Sequence, residues 1–405
     1  MSEVAHTPQL RFPEFSGAWN THSIGKIGTF FSGGTPASSN KDYYSGTIPF
    51  IGSGKISSES VKQHITQEAL DSSSAKIVNE GDLLYALYGA TSGAVALSKI
   101  NGAINQAVLC IRTNENKFFL KTWLEKNKER ILGTYLQGGQ GNLSAQIVKS
   151  LKLNLPTKPE QQKIAAFLTA VDNKIEQLSK KQELLSEYKK GLMQKIFSQA
   201  IRFKADDGSD FPDWEDGLLN TLIDNSRKIR YGIVQPGKYD KNGKYLIRGK
   251  DYSNGWEIPS EFFKVSDAIE KKYSKTRVKK GDVIVCIVGS VGNVMVIPGW
   301  LDGANITQTT ARIAPDKNKL NNQYLYFYFQ SLVGRNMIHK HTRVGTRPGL
   351  NIEDVEKFSI LLPSLLEQAK IANFLSSIDN KIEQVGKQLD ESKQFKKALL
   401  QQMFV

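Results

Sequence analysis

Apolar residues recur every seven positions along two stretches of the chain. In the first, Ile164, Val171, Leu178, Leu185 and Leu192 form one register; Leu168, Ile175 and Ile196 form a second, interrupted by Gln182 and Lys189. In the other, Ile371, Ile378, Val385 and Leu399 are joined by Leu375, Ile382, Leu389 and Met403. An a/d pattern over four to five heptads predicts coiled coil rather than an ordinary surface helix. Pro156 and Pro159 stand where a helix can begin but not continue. About 38 residues of helix span roughly 57 Å. Such a stripe needs a partner, and each stretch is the nearest partner of the other.

Elsewhere the pattern shortens. Residues 82–87 and 283–288 are apolar runs of strand formers, entered by Gly-Asp and left by Gly, which predicts buried strands. Residues 118–132 and 321–338 read as helices. Loops rich in Gly, Ser, Thr, Asn and Pro separate these elements, at 32–36, 52–54, 89–93, 137–142 and 344–349.

The chain is a duplication. Residues 156–198 align without a gap on 363–405, and 20 of the 43 pairs are identical, too many for chance. Weaker repetition precedes each copy. Gly81-Asp82 matches Gly281-Asp282, Asn105-Gln106 resembles Thr307-Gln308, and Leu10-Arg11-Phe12 with Trp19 resembles Ile201-Arg202-Phe203 with Trp214. The expected order is a variable domain over 1–155, a long helix over 156–199, a second variable domain over 200–362 and a second long helix over 363–405. The fold class is α/β (α+β): two domains with β-rich cores and two long helices packed as an antiparallel coiled coil, with internal pseudo-two-fold symmetry.

Charge points to a polyanion. The 405 residues carry 54 Lys and Arg against 40 Asp and Glu, a net +14. The long helices hold little of it. Three clusters lie in the second variable domain: Arg227 to Lys250, interleaved with tyrosines; Lys271 to Lys280; and Arg335 to Arg347. Cations mixed with Tyr, Gln and Asn suit phosphate contact combined with base-edge readout; the plainer alternative for any single lysine is solvated surface.

Catalytic and metal motifs are missing. Two cysteines exclude a disulfide scaffold and a four-cysteine zinc site, five histidines leave little material for a His-based metal centre, and no HExxH or CxxC occurs. Cys110 and Cys286 fall in apolar runs and read as inert core thiols; His339 and His341 read as surface or DNA-facing. Gly232 to Tyr239 approaches a P-loop but ends in Tyr where a Ser or Thr hydroxyl is required. There is no Pro-Pro dipeptide, so the Asn/Asp-Pro-Pro-aromatic signature of amino-methyltransferases is absent. No secretory leader or membrane-length apolar run is seen. The expectation is a cytoplasmic binder with no catalytic or metal site of its own.

The Glu-Gln-x-Lys-Ile-Ala-x-Phe-Leu motif at 160–168 and 367–375, the Asp-Asn-Lys-Ile segments and the alternating layout together resemble one family, the DNA specificity subunits of type I restriction–modification systems. The resemblance covers essentially the whole chain. It implies that each variable domain grips one half of a split, asymmetric site on double-stranded DNA while the helix rod spaces the two. It further implies two methyltransferase subunits and two motor/nuclease subunits as partners. S-adenosylmethionine, ATP and Mg would belong to those partners, leaving no cofactor here.

Loop chemistry then nominates readers, since Gln and Asn suit adenine and Arg and Lys suit guanine. In the first domain these are Thr35, Ser53, Lys55, Tyr88, Thr91, Gln137, Gln140 and Asn142. In the second they are Gln235, Lys238, Arg248, Lys250, Ser290, Asn293, Arg343, Thr346 and Arg347. Two other readings stay open: a coiled-coil structural adaptor without sequence-specific DNA binding, and a nucleotide hydrolase using 232–239.

Overall fold

A computed structural model describes residues 7–405 except 136–141, 254, 344, 346 and 347. It divides into two units, residues 1–179 with 388–405, and residues 180–387. Each unit thus takes one part of each long helix.

The first unit is built on a four-stranded antiparallel sheet ordered Gly28–Ser32, Val108–Thr113, Leu83–Ala86, Val95–Leu97. A second four-stranded sheet, ordered His64–Ile65, Ile48–Ile51, Gly102–Ile104, Lys76–Val78, contains one parallel pair. The strand expected near 82–87 is buried on both faces: Leu83, Tyr85 and Leu87 meet the helices, and Leu84 and Ala86 meet Cys110 and Ile104. This explains an apolar run without alternation. A short ribbon, Asn20–Ser23 with Lys152–Leu155, leads into the central helix.

The second unit repeats this plan. Its main sheet is ordered Arg230–Tyr231, Thr310–Ile313, Val283–Cys286, Val294–Val296; a smaller one holds Phe263–Val265, Lys244–Ile247 and Asn305–Ile306. Glu215–Leu218 and Ser359–Leu362 form its ribbon.

Each single helix expected beside a main sheet is in fact two. Lys117–Lys126 stops at Asn127, whose amide side chain donates to the Trp123 carbonyl, and Lys128–Tyr135 follows. Asn322–Gln330 stops at Ser331, which is extended and caps Leu332–His341 by accepting from Gly334 N–H at 3.1 Å. Capping residues inside an apolar run end a helix that periodicity alone would continue.

The long helices are Lys158–Phe197 and Leu365–Met403. In the first unit Ile164 and Leu168 are buried with Leu399 and Met403, and in the second Ile196 with Ile371 and Leu375. The two polar interruptions of the heptads are themselves interhelical contacts. Lys189 pairs with Asp379 at 2.6 Å, and Gln182 lies against Gly386, so the helices run antiparallel. Lys396 pairs with Asp172 at 2.6 Å, the same bridge displaced by the repeat.

Candidate nucleic-acid interface

The repeated motifs form a junction in each unit. Arg11 donates through Nε and Nη2 to Glu160, both at 2.7 Å, and Trp19 Nε1 adds a contact at 3.3 Å. Arg202 and Trp214 hold Glu367 in the same way, at 2.8 and 3.0 Å to Oε2. Both glutamates are fully buried, and each carboxylate keeps its arginine firmly protonated. The following glutamines bind back: Gln161 and Gln368 donate to the Pro156 and Pro363 carbonyls and accept from Asn116 and Asn321 N–H. Phe12 packs edge-on against Phe167, as Phe203 does against Phe374. These motifs therefore fasten the leading segment and main sheet to the helix start, and leave the opposite end of the sheet free.

At that opposite end the loops of the first unit gather. Strands Gly28–Ser32 and Leu83–Ala86 end there and Val108–Thr113 begins there. Thr35 is exposed and donates to Gln106 at 2.5 Å. Ser53 and Lys55 lie on a short turn of helix that meets the turn Gly89–Thr91. Tyr88 and Thr91 are half-buried, Lys55 and Asn142 exposed. Leu143 N–H bonds to the Leu87 carbonyl at 2.9 Å and so brings Asn142 to the same end. The structure thus groups Thr35, Ser53, Lys55, Tyr88, Thr91 and Asn142. Gln137 and Gln140 lie outside the described residues.

In the second unit the matching bond runs from Leu350 N–H to the Ile287 carbonyl at 2.8 Å. Gln235, Lys238, Lys250, Ser290 and Arg343 are exposed. Gly232 packs on the Ile306 carbonyl, where a Cβ would collide, as Gly33 packs on that of Ile104; this seats the loop bearing Gln235. Arg248 differs from its free neighbours. Its guanidinium donates to Asp251 and to the Glu261 carbonyl at 3.0 Å and lies over Phe263, so it shapes the loop carrying Lys250. Arg343 anchors a bridge to Gly349 and lies 3.7 Å from Asp354. Thr346 and Arg347 lie outside the described residues.

Ser290 and Asn293 line an open cleft of about 890 Å³ that sequence reasoning did not delimit. Tyr326, Gln330, Arg335 and His339 form its other wall. Burial raises the Tyr326 hydroxyl pKa, keeping it a donor. The available signal was i,i+4 spacing, Tyr326 with Gln330 and Arg335 with His339, inside segments that otherwise read as core helix.

The other sites resolve into structure. Cys110 and Cys286 are buried, and burial pushes the Cys110 thiol up to about 12. His341 contacts the Met337 carbonyl at 2.9 Å and packs edge-on against Phe358, so it packs inward, whereas His339 lines the cleft. After Gly237 no helix begins; the next element is strand Lys244–Ile247, so the helix N-terminus of a P-loop is missing. Among the described residues no helix is long and apolar enough to cross a membrane, and no cluster of three metal-ligating side chains occurs.

Residues 17–186 and 223–392 match the type I restriction modification DNA specificity domain. The chain is 27% identical to the MjaVIII specificity subunit of Methanocaldococcus jannaschii, over 96% of this chain and 92% of that protein. It is 26% identical to the EcoBI specificity subunit of Escherichia coli, over 71% of this chain and 65% of that one. Its fold is similar to the crystal structure of a type I restriction–modification S subunit from M. genitalium, with a TM-score of 0.62 at 17% identity, covering 98% of this chain and 99% of the other. With two copies of the domain accounting for most of its length, the chain belongs to the type I restriction–modification DNA specificity family.

Proposed function

We propose that this chain is the DNA-reading subunit of a type I restriction–modification complex, each unit reading one half of an asymmetric, split site on duplex DNA. The observation that carries the reading is one scaffold bearing two different loop sets at the same sheet end. The first unit offers Thr35, Ser53 and Asn142; the second offers Gln235, Lys238, Ser290 and Asn293. Hydroxyl and amide groups suit base edges, and exposed lysines suit phosphates. The chain itself performs no catalysis in this reading. Methyltransferase subunits bring S-adenosylmethionine for adenine methylation, motor/nuclease subunits bring ATP and Mg, and the complex works in the cytoplasm. Two copies of each partner match the duplicated helix starts.

The test is to exchange residues 200–362 for those of another family member and map methylated adenines genome-wide. One half-site is expected to change while the other persists. If both halves changed together, one unit per half-site would be wrong. If no methylation depended on the chain, the adaptor reading would replace this one.

A further inference from the structure

We propose that the second unit carries a binding site for a phosphate oligoanion, centred on Arg312 and separate from the base-reading loops. Arg312 lies on strand Thr310–Ile313 and is only 2% exposed. Its Nη1 donates to the Lys275 and Arg277 carbonyls at 3.0 and 3.1 Å, and its Nη2 to the Lys228 carbonyl at 2.7 Å. Among the described residues its Nε has no hydrogen-bond partner, and no carboxylate lies within ion-pair distance of it. The acid that opens the neighbouring strand, Asp282, is instead held at both oxygens by Arg227, at 2.5 and 2.6 Å. Directly across the sheet from Arg312 stands another cation, Arg230. Like charges facing across strands repel, and a buried cation without a counter-ion is costly.

An open cleft of about 580 Å³ lies over this residue. Lys228, Arg230, Lys275 and Lys279 line it, and none makes an ion pair among the described residues. Among the described residues the one carboxylate in its lining, Asp224, is capped by the Ser226 N–H and hydroxyl. The Arg312 contacts to three carbonyls fix both chain segments that wall the cleft, so the cations are held on a built frame. Guanidinium and ammonium groups converging on one concavity suit phosphate oxygens. Four unpaired cations spread across an open cleft suit linked phosphates better than a single one.

The first unit is an internal control. With Leu84 aligned on Ile284, the position of Arg312 is taken by Cys110, and that of Arg230 by Phe31. The site is therefore an addition to the shared scaffold. It sits where Asp282 opens its strand, whereas the reading loop 288–293 leaves the other end. The linked phosphates can come from the duplex backbone or from a free phosphorylated ligand such as a nucleoside triphosphate; the chemistry is the same.

The experiment titrates the full chain with inorganic pyrophosphate at low ionic strength by calorimetry. One saturable site is expected. The double variant Arg230→Gln/Lys279→Gln, at exposed positions, should weaken it at least tenfold. Lys271→Gln/Lys272→Gln removes the same charge from the end of the neighbouring helix and should change it less than twofold. Absence of saturation, or equal weakening by both double variants, overturns the site. Duplex affinity is measured in parallel. If the first double variant also weakens duplex binding and duplex displaces pyrophosphate, the phosphates are those of DNA. If duplex binding is untouched, the ligand is a free phosphorylated molecule. Failure of the wild type to bind duplex would count against the DNA-reading role and leave this result standing by itself.

Discussion

The helix starts and the loop ends of the two units have diverged to very different degrees. At the starts, Arg11, Trp19 and Glu160 superpose in role on Arg202, Trp214 and Glu367, down to which guanidinium atoms donate. At the loop ends, the bonds from Leu143 and Leu350 persist, but the side chains around them do not. A buried carboxylate tolerates few alternatives, because an arginine left without it keeps an unmatched charge. A loop whose backbone is pinned by the sheet tolerates many side chains. The difference separates what holds each unit together from what each unit reads.

The largest effect expected from this contrast is at the junction. Glu160→Ala and Glu367→Ala each remove a fully buried carboxylate and leave a half-buried arginine and an indole N–H without it, at a cost of about 3 kcal/mol, the low end for a buried pair because the arginines keep carbonyl partners. Urea unfolding should show both losses at similar size, and single-base preference in whatever DNA binding survives should be unchanged. If one variant were nearly silent, the two junctions would not be the same device.

That junction is also where sequence reading and structure meet most closely. The repeat, the two long helices and the strands entered by Gly-Asp are legible because each is a periodicity or a duplication, which needs no knowledge of partners. The tasks of Arg11 and Glu160 are not legible, since 149 positions separate two residues that touch. Asn127 and Ser331 were hidden inside apolar runs. Arg248 looked like a guanine reader from its loop, but the sequence could not show that Asp251, three positions on, holds it. Tyr326 and Gln330 do not stand out in the sequence, because a half-buried face of an aromatic-rich helix reads as core. Backbone scaffolding was thus readable, and the orientation of polar side chains, which depends on contacts distant in the chain, was not.

A smaller effect is expected at the loop ends, and it sharpens the contrast by separating reading from holding. Asn293→Ala removes an amide from the cleft that also holds Gln330. Loss of a base contact should cost roughly 1–3 kcal/mol and relax discrimination at one base pair, measured by competition among duplexes altered one base at a time. Lys250→Ala, an exposed cation on the adjoining loop, should weaken all sequences alike and lower the salt slope by about 1. If Asn293→Ala gave only the uniform, salt-linked loss, the cleft would be a phosphate contact and the reading residues would have to be sought on the other loops.

The smallest effect concerns the other end of the strands, where the two units keep an acid but change its partner. Asp82 accepts from the Asn79 N–H and Asp282 from the Lys279 N–H, so each carboxylate closes the same turn. Asp82 is then met by Arg112 at 2.8 Å, from within the sheet, and by Lys117; Asp282 is met by Arg227, from the segment before the sheet. Burial opposes ionisation of Asp82, but the Arg112 contact, the Asn79 N–H and Lys117 together hold its carboxyl below the usual value. A carboxyl whose pKa is lowered by folding stabilises the protein above its unfolded pKa, about 4. That contribution is lost as pH falls through the lower, folded value. Arg112 is partly solvated, so screening limits the pair to roughly 1 kcal/mol. Comparing wild type with Asp82→Asn by urea unfolding, the stability gap should be constant from pH 7 to about 5 and close as the medium becomes more acidic than about pH 4. A gap that widened on acidification would mean that the aspartate is held in its protonated form, and the turn at Asp82 would then work differently from its image at Asp282.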